Sequence, residues 1–107
     1  MIWIDDLYIS DSITKKQNRI KWKINHQKPS GFVHLICLPS NENNLLDIIP
    51  SANLLQKGYP RKNLTIIGLA SNYNEAVLLT RDIIDDIYTQ TGEFDVGKYF
   101  KMTKGEA

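Results

Sequence analysis

Apolar residues recur along the chain in short bursts separated by polar turns, and the spacing inside each burst predicts an element. Ile2 to Ile9 is rich in β-branched and aromatic residues around the pair Asp5-Asp6, which reads as a strand with a polar bend or bulge at its centre. Ser10-Asp11-Ser12 then supplies residue types that cap helices. From Ser12 to Gln27, Ile13, Ile20 and Ile24 share one helical face, and Pro29 with Gly31 marks a stop. A period of two competes over the same stretch. Ile20, Trp22 and Ile24 alternate with Arg19, Lys21 and Lys23, so a hairpin of 19–25 with 32–38 is the alternative.

Phe32 to Leu38 is a nearly continuous apolar run closed by Pro39-Ser40-Asn41, the pattern of a central strand buried on both faces. Asn43 to Lys57 carries Leu45, Leu46, Ile48, Ile49, Ala52, Leu54 and Leu55 at helical spacing. Pro50 interrupts it, predicting two short helices or one kinked helix. After the polar turn Tyr59 to Asn63, Leu64 to Ala70 reads as a third buried strand containing Gly68. Asn72 and Glu75 have the spacing of a capping box, and Ala76, Leu79, Ile83 and Ile87 extend an apolar stripe to Thr91-Gly92. Phe94, Val96, Tyr99 and Phe100 are too apolar to stand in solvent, so that segment is expected to pack back ahead of a flexible tail over 101–107.

The expected fold is therefore α/β: a small three-layer β-α-β-α-β-α domain over 1–100, with a mainly parallel three-stranded sheet and a long C-terminal amphipathic helix. The alternative is α+β, built on the hairpin. So small a sheet has two open edges, one of them available to the 94–100 segment or to a second subunit.

Composition narrows the class. A length of 107 residues and 42% hydrophobic content suit one globular domain. A single cysteine, Cys37, excludes an internal disulfide and a cysteine-rich metal cluster. The start Met-Ile-Trp-Ile-Asp-Asp lacks the basic and apolar regions of a signal peptide, and no apolar run reaches bilayer length, so a reducing, cytoplasmic setting is expected.

Net charge is only +1, but it is unevenly spread. No acid lies between Asp11 and Glu42, where Lys15, Lys16, Arg19, Lys21, Lys23 and Lys28 fall, whereas the C-terminal helix carries Glu75, Asp82, Asp85 and Asp86. Clustered cations beside Trp22 can neutralise phosphates and stack a base, or form half of a charge-complementary protein contact. A second candidate is a small anionic-ligand site at the strand ends, from Ser10, Ser40, Asn41, Ser71 and Asn72, although these types equally serve as plain helix caps. Asp5-Asp6 resembles the paired acids of magnesium-binding receiver domains without their other partners. His26 and His34 lack metal or triad spacing, and Cys37 reads as an inert core residue. No catalytic, metal or cofactor site is indicated.

The stretch Leu38 to Pro50, then Ile66 to Ala70 with Tyr73 and Glu75-Ala76, then Ile87-Tyr88 through Thr91-Gly92 to Val96, resembles a family of short uncharacterised bacterial proteins of the clostridial kind. The resemblance implies a free-standing small protein and a helix rather than a hairpin over 12–27. It carries no activity and transfers no site. The expected role is a non-enzymatic accessory or protein-interaction protein, self-associating or partner-bound, with nucleic-acid binding and small-ligand binding as alternatives.

Overall fold

A computed structural model describes residues 1–39, 44–61 and 64–103. These form a small mixed α/β domain in the order β1 (Ile2–Ile9), a 3₁₀ turn (Asp11–Lys16), α1 (Gln17–Asn25), β2 (His34–Cys37), β3 (Asp47–Pro50), a second 3₁₀ turn (Ser51–Leu55), β4 (Thr65–Ala70), α2 (Tyr73–Thr91) and α3 (Val96–Thr103). The sheet order is β1-β4-β2-β3. Only β1 and β4 run parallel; β2 is antiparallel to both β4 and β3.

The expected parallel three-stranded sheet is thus corrected to a mixed four-stranded one. The unread strand is β3, inside the stretch expected to be helical. Leu46, Ile48 and Ile49 fit a helical stripe by spacing, but Ile48 packs toward the α2 side and Ile49 toward the α1 side, the alternation of a strand. Pro50 ends β3 on the sheet edge and opens the following 3₁₀ turn, so the break it predicts is a strand-to-turn junction.

Other expectations hold. Residues 11–25 are helical, not a hairpin strand. Asn72 caps α2 by accepting from the Glu75 N–H at 2.9 Å, and Gly92 closes it with φ of 73° and its N–H on the Tyr88 carbonyl. The 94–100 segment packs back, α3 burying Val96, Tyr99 and Phe100, whereas Phe94, also expected out of solvent, stays half-exposed and stacks on Tyr88 with centroids 4.7 Å apart. Of the expected tail, residues 101–103 continue α3, and 104–107 lie outside the described residues.

The core has two halves, one on each face of the sheet. On one face α2 and α3 press Ala76, Ile83, Ile87, Val96 and Phe100 against Ile4, Ile36 and Ile67. On the other, Ile13, Ile20 and Ile24 of the first helical stretch meet Leu35, Cys37, Ile66 and Leu69, with Leu54 of the second 3₁₀ turn. Along β4, Ile66 and Leu69 face α1 while Ile67 and Ala70 face α2, a three-residue spacing that departs from strict alternation at the register shift where Ile36 pairs with Gly68 and Cys37 with Ile66.

The polar bend read at Asp5-Asp6 is a wide bulge. Trp3 pairs with Ile66 but Tyr8 pairs with Gly68, so five steps of β1 span two of β4. Gly68 lets the strands rejoin, because a Cβ there would meet the Tyr8 carbonyl oxygen at 3.1 Å and Ile36 at 3.3 Å. Gly68→Ala should therefore lower stability by about 1–3 kcal/mol through overpacking against backbone. A fall in denaturant midpoint at unchanged slope would show it.

Candidate interaction surface

Ile20 and Ile24 turn one side of α1 into the sheet, so the opposite side is set outward. Lys15, Lys16, Arg19 and Lys28 are exposed, and Lys21 and Lys23 are half-buried. None of the six lies within ion-pair distance of a carboxylate among the described residues, where Lys98 and Glu93 make a pair at 4.0 Å. Trp22 sits among them with 52% of its surface exposed. Its ring stacks on His26, one helical turn on, with centroids 4.2 Å apart and planes inclined by 21°. His26 Nδ1 lies 2.8 Å from the Trp22 carbonyl oxygen, which holds the lower ring in place. The indole is thereby steadied on one face while half of it stays in solvent. The sequence reading missed this pairing, although the spacing of i and i+4 was the signal for it.

Two further groups anchor the segment. Trp3 donates its indole N–H to Asn25 Oδ1 at 2.9 Å, and Lys21 Nζ lies 5.5 Å above the Trp3 ring, a cation–π contact that draws this lysine toward β1. Arg61 donates to the Ile24 carbonyl at 2.7 Å and to the Leu54 carbonyl at 3.4 Å, placing a cation at the C-terminus of α1 where the helix dipole is negative.

The strand-end residues are not gathered into one site. Ser10 and Ser71 meet directly: the Ser71 N–H donates to the buried Ser10 hydroxyl oxygen at 3.0 Å. Ser10 makes no side-chain bond to the 3₁₀ turn it precedes, so its hydroxyl ties the end of β1 to the entrance of α2. Asn72 caps α2. The shared arrangement expected from parallel strands fails for β2, whose antiparallel course carries Cys37 to the end of the sheet opposite Ala70. Ser40 and Asn41 lie outside the described residues. A shallow cleft of about 170 Å³ beside Ser10 has Asp11, Glu75 and Asp82 in its wall, a set that repels an anion. Ser10→Ala should cost about 1–2 kcal/mol by leaving the Ser71 N–H unpaired, read as a lowered Tm with the secondary structure retained.

Over the bulge an open cleft of about 460 Å³ is lined by Asp5, Asp6, Tyr8, Tyr99 and Phe100 among others. Tyr8 donates to Asp86 at 3.0 Å, and burial, reinforced by that carboxylate and by Tyr99, holds the phenol well above the ordinary tyrosine range. Burial likewise pushes the Cys37 thiol up to about 12, with Asp47 across the ladder adding to it. At neutral pH that thiol stays protonated, which denies it nucleophilic character. Among the described residues no group of three histidine, cysteine or acidic side chains could hold a metal, and no helix is long and apolar enough to cross a membrane.

No protein-family model, curated protein or solved structure matches this chain.

Proposed function

We propose that the protein is a non-enzymatic binding protein whose contact surface is the outer face of residues 15–26, taken by an acidic protein partner. One observation carries the reading: a half-exposed indole, steadied on His26, stands among cations that have no carboxylate within ion-pair distance among the described residues. Tryptophan and arginine are the side chains that most often anchor protein interfaces, and a ring of charge around such an anchor sets orientation and association rate. A nucleic acid fits less well. The near-neutral net charge supplies little long-range attraction, and neither cleft described above takes a wall from α1.

The sheet edges are poor alternatives. β1 carries a bulge in its pairing with β4 and the acidic pair Asp5-Asp6, and β3 is four residues long and ends in Pro50. Both features discourage strand addition.

A Trp3→Phe variant leaves Trp22 as the sole indole reporter, since the chain has two tryptophans. Titration with polyglutamate should change its emission saturably, and Lys16→Glu with Arg19→Glu should weaken that binding at least tenfold. Polyglutamate binding indifferent to this charge reversal refutes the proposed surface. Tighter, salt-sensitive binding of a mixed single-stranded oligonucleotide selects the nucleic-acid reading instead.

A further inference from the structure

Resting on the reading of α1 as a contact face, we infer that an acidic partner for it is the outer face of α2 on a second copy of this chain, giving head-to-tail association. Three features of the molecule point there. The first is charge: α2 carries Glu75, Asp82, Asp85 and Asp86 against the single cation Arg81, with no ion pair to them among the described residues. The second is an apolar centre, because Leu78 is 53% exposed amid those acids as Trp22 is amid its cations. The third is size. Glu75 to Asp86 spans about 17 Å along α2 and Lys15 to Lys23 about 13 Å along the first helical stretch, so the charged faces are of similar extent.

The placement of the faces decides the kind of assembly. α1 and α2 pack on opposite sides of the sheet, so one copy cannot offer both faces to the same neighbour. The contact is heterologous, and repetition extends a row rather than closing a two-fold dimer. Exposed ion pairs are screened beyond a Debye length, so the row should be weak and confined to low salt.

Sedimentation velocity tests this. The wild-type chain should gain mass with concentration at low ionic strength (~0.02 M) and return to monomer near ~0.5 M, where screening is short-ranged. Lys16→Glu/Arg19→Glu removes one face and Asp82→Lys/Asp85→Lys the other, and all four side chains are exposed, so both variants should keep the wild-type circular dichroism. Asp86 is left alone because it accepts from Tyr8. Each variant by itself should be monomeric, and an equimolar mixture should associate again, since the retained α2 of one variant meets the retained α1 of the other and the two reversed faces are complementary as well. A wild-type chain monomeric throughout, a variant that still associates alone, or a mixture that stays monomeric overturns the inference. If the chain is monomeric but charge reversal on α1 still abolishes polyglutamate binding, the contact face stands and only its self-directed partner falls.

Discussion

Truncating Ile66 or Ile67 to alanine is expected to remove about 2–5 kcal/mol of stability in each case, although the two residues are neighbours in sequence and touch different helices. Both are fully buried. Ile66 belongs to the half of the core under α1, Ile67 to the half under α2 and α3. A cavity on either side is walled by a close-packed layer that relaxes only partly, so the lost transfer energy is joined by a cavity term. A domain of this size holds roughly 5–15 kcal/mol in all, so either variant should be visibly less stable and the double variant largely unfolded at 37 °C. Chemical denaturation measures the loss. Near-neutral cost for one of the pair means that the corresponding sheet face is not covered as described.

The second large effect is alkaline. The Cys37 thiol is held at about 12 in the folded chain against an ordinary 9.0, because it is buried and Asp47 lies across the ladder. Below the unfolded value both states keep the proton, and the favourable burial of a neutral thiol is fully present. As the pH rises from 9 toward 12 the unfolded chain loses that proton while the fold retains it, which favours unfolding by about 1.4 kcal/mol per pH unit. The accumulated loss is on the order of 4 kcal/mol, and Tyr8, raised in the same direction, adds to it above its own ordinary value. In Cys37→Ala the thiol is gone, so the variant should start less stable at pH 8 and decline less steeply. The two stability curves then converge with increasing pH. Parallel curves from pH 8 to 11 would remove Cys37 from the explanation.

Much of this arrangement is legible in the sequence, for reasons that differ between elements. β1 is readable because β-branched and aromatic residues flank an acidic pair that no buried regular strand tolerates. α2 is readable because cap, stripe and terminal glycine agree over nineteen residues. The direction of the central strands is another matter. The apolar runs around Leu35 and Ile67 report burial on two faces, and that is true of β2 and β4, but burial says nothing of which way a strand points. β3 was hidden because four residues give only two alternations, too few to outweigh the helical spacing of Leu45 to Leu55.

The candidate surface was half legible in the same way. The run of cations without acids around Trp22 stands out in the sequence, and a helix over it separates an outer basic side from an inner isoleucine side. The stack on His26 and the bond from Trp3 to Asn25 depend on tertiary placement. The strand-end residues were grouped on the premise of parallel strands, so the reversal of β2 separates its end from Ser10 and Ser71.

The position of β4 between β1 and β2 governs how the chain can assemble during synthesis. β1 is made first, yet Ile2 pairs only with Thr65 and Ile9 with Leu69. Until residues 65–70 leave the ribosome, the nascent chain can build no more than the β2–β3 pair with α1 against it. β1 then has an edge but no sheet, and nothing covers Ile66 or Ile67 because they have yet to emerge. Long-range pairing of this kind delays folding until late in translation. The half of the core under α1 can then close around the last strand to appear, and the other half follows as α2 and α3 emerge.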